Sequence, residues 1–263
     1  MNHFSTSLSR LAFRLGGSAL AVSCSLASPT LAQAPPGLVE IDGGRAKIGV
    51  EKKVVEKLLK ENVPLRKRAA AIWSATPEHT LQLQDYYLMV TEVTNEQYAE
   101  FVRATDSKPP EKWGEQAIND ARAAFLEEDG AMRQKLKEEG KPVPAAKKFD
   151  ETVWWNENWS TAQWEIPEGK ERKPVAYIDH TGARSYARWA GLRLPTEFEL
   201  QRAARGLADK DQLYPWGKNW EEGRAATSEV TGVRGTLVVG SFPEGASKEG
   251  IHDLIGNVWE WTS

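Results

Sequence analysis

The sequence has 263 residues, 27% of them charged and 40% hydrophobic, with a formal net charge of -3. This is enough chain for one large domain or two small ones, and the balance gives no global reason to expect nucleic acid or an acidic membrane as partner. The 11 tryptophans are the outlier. Most follow Trp113, many in loop-like sequence, which fits either a core filled with large aromatics or an aromatic-lined ligand cleft.

The first 32 residues read as a signal peptide. His3, Arg10 and Arg14 give a positive start, residues 15–26 are apolar, and Thr30-Leu31-Ala32 fits the small-x-small cleavage rule. Cleavage after Ala32 is expected rather than after Ala34, where Pro35 would follow the cut. The apolar run is too short for an integral membrane span, so the expected destination is the periplasm or the outside. The single cysteine, Cys24, lies in this leader. A lipid anchor there is disfavoured, because Ala21 stands where lipidation signals prefer a bulky aliphatic. The mature chain is then expected to have no thiol.

Residues 33–36 read as a linker. Residues 37–44 form a short alternating strand and a Gly turn, and residues 46–50 are expected to be the returning strand. Residues 52–68 suit a charged surface helix, with Val55, Leu58 and Leu59 at helical spacing. Residues 80–90 read as one strand. Thr94 and Gln97 form a capping box ahead of Tyr98, Phe101 and Val102. Residues 108–173 differ in texture and are expected to be an insertion. It holds a charged helix over residues 115–139, then Trp154, Trp155, Trp159 and Trp164 in loop-like sequence. Residues 174–178 read as a strand, followed by a helix with Tyr186, Trp189 and Ala190 inward and Gly191 at its end. Thr196 and Glu199 form a second capping box for a helix stopped by Gly206. Residues 214–217 suit a turn and residues 237–239 a buried strand.

Several stretches are specific as an ordered set. They are Pro77-Glu78-His79-Thr80, Thr91-Glu92-Val93-Thr94-Asn95-Glu96-Gln97-Tyr98, the unit from Pro174 to Gly191, Arg193-Leu194-Pro195-Thr196-Glu197-Phe198-Glu199-Leu200, Tyr214-Pro215-Trp216-Gly217 and Gly256-Asn257-Val258-Trp259-Glu260-Trp261. From residue 37 onward the chain resembles the formylglycine-generating enzyme / sulfatase-modifying factor family. The resemblance implies an α+β domain over residues 37–263, of modified C-type-lectin-like fold with little regular secondary structure, and calcium as a structural ion. The family's enzyme branch oxidises a cysteine of a sulfatase to formylglycine with two cysteines and copper. Other branches are envelope proteins without that chemistry, or iron-dependent sulfoxide synthases.

The family pattern continues beyond the Trp-Glu-Trp-Thr motif into a segment that carries the active cysteines. The sequence stops at Ser263, so it is expected to be a fragment or a shortened relative. No catalytic residue can be assigned, and copper is implied only if a further segment supplies cysteines. The iron-binding branch needs clustered histidines, whereas His79, His180 and His252 are far apart.

Calcium can be carried over residue by residue. The resemblance puts ligands at Asp253, Gly256, Val258 and Glu260, with side-chain carboxylates and backbone carbonyls as hard oxygen donors. The competing reading pairs Glu260 with Arg193 or Arg205 inside the core. A second family site, near Thr227, Ser228, Thr231 and Val233, is expected to be lost or weak, because neutral hydroxyls replace carboxylates. Arg193, Glu197 and Glu199 suit either acid/base chemistry or an ion-paired helix cap, and the cap is the favoured reading. Asp179-His180 likewise reads as a cap before a helix rather than a dyad. Two functions follow. One is an exported domain resembling the oxidase, with a sulfatase or other exported protein as partner. The other is a non-catalytic envelope module that binds peptide or glycan through the insertion's tryptophans.

Overall fold

A computed structural model describes residues 37–61, 69–207, 212–227 and 235–263. The leader, Cys24 and the linker lie outside these residues. Among the described residues, the protein mixes helices with small antiparallel sheets, so it is of α+β class. No helix of the described residues is long and apolar enough to cross a membrane.

The first strands are β1 (Leu38–Ile41), β2 (Gly44–Ile48), β3 (His79–Leu83) and β4 (Tyr86–Met89). The expected hairpin between β1 and β2 does not form: β1 pairs with β4, and β2 with β3. Leu38 lies opposite Met89 and Ile48 opposite His79 in one unbroken register, so the two sheets are one bent ribbon. The bend falls where Asp42-Gly43 meets Gln84-Asp85. There the Gly43 amide donates to Asp85 Oδ1 at 2.8 Å, and a side chain at residue 43 would strike the Leu83 carbonyl. The same bend splits the expected single strand over 80–90 into β3 and β4.

Between β2 and β3 lie α1 (Lys52–Glu61) and α2 (Ala69–Trp73). Helix α3 (Asn95–Thr105) starts at the expected capping box of Thr94 and Gln97. It buries Tyr98, Phe101 and Val102 against Trp113, Val175 and Tyr186 in the larger core. Helix α6 (His180–Trp189) supplies Tyr186, which stacks on Tyr98 with ring centroids 5.6 Å apart. Helix α7 (Glu197–Arg205) starts at the second expected box and ends at Gly206. Its Ala203 joins Ile41, Tyr86 and Ile251 in a smaller core over the ribbon. Residues 174–178 and 237–239 are loops rather than strands. Pro174 makes one bridge, to Thr94, and Leu237, Val238 and Val239 are half-buried.

The span 108–173 is built into the larger core. It holds a short 3-10 turn (Glu111–Gly114), α4 (Glu115–Glu138) and α5 (Glu151–Asn158). The Trp113 indole donates to Asn95 Oδ1 at 3.2 Å, and the Asn95 amide group reaches the carbonyls of Lys170 and Lys173 at 2.8 and 3.0 Å. Both ends of the span are thus tied to the start of α3. Trp154 and Trp155 lie on α5, not in a loop, because Asp150 caps that helix. Trp155 is fully buried, and Trp164 stacks on Trp113. Trp155 and Trp164 thus pack in the interior of this region.

Trp155 sits against Gly114, where an added Cβ would lie 2.1 Å from the indole. Gly114→Ala is therefore expected to destabilise the fold by roughly 1–3 kcal/mol through overpacking. A chemical denaturation series would show it, and the cost should shrink when Trp155→Phe is added. Equal costs in the two backgrounds would exclude that contact as the cause.

Candidate metal centre

The sequence around residue 256 folds as an irregular loop held by side-chain contacts to backbone. Ile251 is buried in the smaller core, and the His252 amide donates to the Val90 carbonyl at 2.8 Å, which fixes the loop against the end of β4. Asp253 and Asn257 both adopt left-handed backbone, with φ of 55° and 53°. Short polar side chains tolerate that conformation better than most. Gly256 lies between them at φ 97°, and a Cβ there would meet the Ala226 carbonyl at 2.5 Å. Only glycine permits this approach. It lets Gly256 bridge Ala226, whose carbonyl accepts from the Asn257 amide at 2.9 Å.

The Asn257 side chain then joins three segments. Its Oδ1 accepts from the Leu237 amide at 2.9 Å, and its Nδ2 donates to Glu92 Oε2 at 3.3 Å. Asp253 Oδ2 accepts from the Gly240 amide at 2.5 Å. Glu92, just past β4, is thereby brought beside the loop that carries Asp253 and Glu260.

Three carboxylates meet here without a visible counter-charge. Burial pushes Glu92 up to about 8, and the charges of Asp253 and Glu260 add to this more than the Asn257 hydrogen bond offsets. Glu92 Oε1 is buried and meets no N–H or hydroxyl donor, and a protonated Glu92 carboxyl is placed to hydrogen-bond Asp253. Burial likewise pushes the Glu260 carboxyl up to about 7, with Asp253 contributing. Glu260 as a residue is exposed. Among the described residues no Lys, Arg or His forms an ion pair with Glu92, Asp253 or Glu260. No described donor reaches the carbonyls of Gly256 or Val258. Among the described residues, no group of three or more His, Cys, Asp or Glu side chains is placed so that it could hold a metal ion. The arrangement is an acidic cluster with an orphaned oxygen, and its donors are the hard oxygens that suit calcium.

The expected alternatives at Glu260 fall away. Arg193 grips Glu199 with two hydrogen bonds of 2.8 and 2.6 Å, and Arg205 faces Glu78 at 3.6 Å and the Gly49 carbonyl at 2.6 Å. Glu199 also accepts from the Thr196 amide at 2.7 Å, completing the helix cap. Burial pushes the Glu199 carboxyl up, but the Arg193 and Thr196 hydrogen bonds outweigh it and hold the group below its usual value. Glu197 bonds Gln201 on the helix surface, so these residues form a cap and not an acid/base pair. Asp179 caps α6 through the Gly182 amide at 2.7 Å. His180 meets the Thr262 carbonyl at 3.1 Å and the Trp261 edge. Of the second expected site, Ser228, Thr231 and Val233 lie outside the described residues. Glu92 was not singled out by sequence reasoning. Its one signal was a charged residue between apolar Val90 and Val93 at the end of a strand.

These shifts fix a pH dependence. A carboxyl raised above its unfolded value of about 4.5 stabilises the fold below that value and loses this contribution as pH rises through its folded pKa. Without divalent cation, the melting temperature should therefore fall between about pH 5 and pH 8, the window set by Glu260 and Glu92. Glu92→Gln should flatten that fall in a differential scanning series with chelator. A profile unchanged by the substitution would remove Glu92 as its source.

Comparison with known proteins bears on the same region. The family model described as "Sulfatase-modifying factor enzyme 1-like domain" matches residues 24–263. The chain is 35% identical to the formylglycine-generating enzyme of Streptomyces coelicolor over 208 residues, covering 72% of this chain and 60% of that protein. It is 30% identical to the inactive C-alpha-formylglycine-generating enzyme 2 of Bos taurus, covering 71% of this chain and 62% of the relative. It is 29% identical to the hercynine oxygenase of Mycolicibacterium smegmatis, covering 71% of this chain and 39% of that one. The chain thus spans less than two thirds of these relatives' own lengths. With the family match running over most of its residues, the chain belongs to the sulfatase-modifying factor family.

Proposed function

We propose that residues 37–263 form a calcium-stabilised domain of an exported sulfatase-modifying-factor protein, which recognises another exported protein such as a sulfatase. Glu92, Asp253 and Glu260 hold the ion with the carbonyls of Gly256 and Val258. The observation that carries this reading is the buried, unpartnered Glu92 oxygen among two further carboxylates. Bound calcium supplies the positive charge that the cluster lacks. The protein's own part is to hold the donors in place, through Asn257 to Glu92 and Gly240 to Asp253. The motif order further supports a modified C-type-lectin-like arrangement, and the leader-like first 32 residues support export.

Within this reading, residues 37–263 do not themselves oxidise a cysteine. The one cysteine of the sequence is Cys24, outside that range. The relatives include a protein named as a generating enzyme and one named as inactive, so family membership leaves the chemistry open. A cysteine-containing sulfatase-type peptide incubated with the chain and calcium should keep its thiol. Appearance of an aldehyde would overturn this part of the reading.

A second reading, an envelope module for peptide or glycan, draws on different aromatics from those of the insertion. Tyr177 is 80% exposed at a left-handed φ of 60°. Trp261 beside it is also exposed and donates to the Ile178 carbonyl at 3.0 Å.

The calcium proposal has its own test. Adding calcium at pH 7.5 should raise the melting temperature by several degrees, at about 2–4 °C for each kcal/mol gained in a domain of this size. Glu260→Gln and Glu92→Gln should each remove most of that gain. Magnesium, which resists dehydration and prefers octahedral sites, should give less. An unchanged melting temperature on adding calcium would refute the site.

A further inference from the structure

Glu92, Asp253 and Glu260 lie far apart in the chain or on separate turns of one loop, yet a single short strap touches the chain beside each of them. The strap runs from Arg172 to Ile178 as a loop with one bridge, at Pro174, and leads into α6. The Val175 amide donates at 2.9 Å to the carbonyl of Val93, the residue after Glu92. The Arg172 carbonyl accepts at 3.1 Å from the amide of Val239, next to the Gly240 amide that holds Asp253. The Ile178 carbonyl accepts at 3.0 Å from the indole of Trp261, the residue after Glu260. Just past the strap, His180 meets the Thr262 carbonyl at 3.1 Å. Each acid, or the group that holds it, is thus tied to the strap one residue away.

The middle of the strap is fixed. Pro174 and Val175 are buried, and the Asn95 side chain donates to the Lys173 and Pro174 carbonyls at 3.0 and 3.3 Å. Its end is strained. Tyr177 is 80% exposed and sits at φ 60°, a backbone region unfavourable for a bulky side chain. Such an outlier persists only where surrounding contacts over-determine it. Here those contacts are the buried Val175 on one side and the Trp261 indole at Ile178 on the other.

We propose that the strap 172–178 sets the spacing of Glu92, Asp253 and Glu260 and couples them to the Tyr177 turn, with Trp261 as a positioning residue. The cation part of this inference rests on the calcium reading. An ion that draws the three acids together tightens the three ties and orders the turn, and by linkage a loosened tie weakens the ion. The Trp261 indole is a donor only, so it acts on the ion through the strap.

The test follows three protons of the full chain by NMR during exchange into deuterated water: the Val175 and Val239 amides and the Trp261 indole N–H. With chelator present, Trp261→Phe removes one tie and leaves an apolar ring at a half-exposed position. The Val175 and Val239 amides should then exchange at least roughly threefold faster, while amides of α4 keep their rates. His180→Ala, which removes the contact to Thr262, is the second variant and should act in the same direction. Unchanged Val175 and Val239 rates, or equal acceleration across the protein, would overturn the strap. With calcium added, the three protons of the native chain should slow together, and Trp261→Phe should bind calcium several-fold more weakly in a calorimetric titration. Calcium that binds the native chain without slowing these protons would overturn the coupling. Calcium that does not bind refutes the metal centre and the cation coupling with it, whereas the chelator comparison alone decides the strap.

Discussion

Side chains that bind backbone carry much of this fold. Among the described residues, the regular sheet is two short strand pairs that share one register as a bent ribbon, and long loops cross both cores. Backbone groups in such loops still need partners. Asn95 supplies them where the span 108–173 leaves and rejoins the core, and Asn257 supplies them where residues 237 and 257 meet. Glu199 does the same at the start of α7, while Arg202 reaches the Asp42 carbonyl at 3.0 Å. Each of these residues is polar and yet structural. Removing one leaves buried carbonyls or amides open, a larger loss than that of the hydrogen bond alone.

The same economy shapes the acidic cluster around Asp253. Asn257 fixes Glu92, and the Gly240 amide fixes Asp253, so two acids are held near each other by contacts that do not neutralise them. Burial first, and repulsion after it, then push the carboxyls of Glu92 and Glu260 up. The Arg193–Glu199 pair is the useful contrast. There a guanidinium lies within 2.6 Å, and the carboxyl is held low despite burial. Among its described residues, the protein thus contains a buried acid with its counter-charge and an acidic cluster without one.

Helix starts were legible because capping is local chemistry. Thr94 with Gln97 and Thr196 with Glu199 lie within one turn, and both boxes form. Strand partners were not, since nothing near Asp42-Gly43 announces that Asp85 will bend the ribbon. Residues 237–239 look like a buried strand by composition, but Asn257 takes up the Leu237 amide and carbonyl in place of a neighbouring strand. Within the acidic cluster, Asp253 and Glu260 lie close in sequence in one motif. Glu92 does not, and its distance along the chain hides a contact that only folding creates. Among the tryptophans of the insertion, Trp155 is fully buried and Trp164 stacks on Trp113, so part of their signal is one of packing.

Trp259 stands apart from the others. It is 94% exposed, and it is the immediate neighbour of Glu260. An indole in water emits at longer wavelength than one in a core, and it is open to a dissolved quencher. Trp113 and Trp155, buried in the interior, are closed to the same reagent. The protein therefore carries its own optical label beside the acidic cluster, with a spectral position that sets it apart from the rings that build the fold.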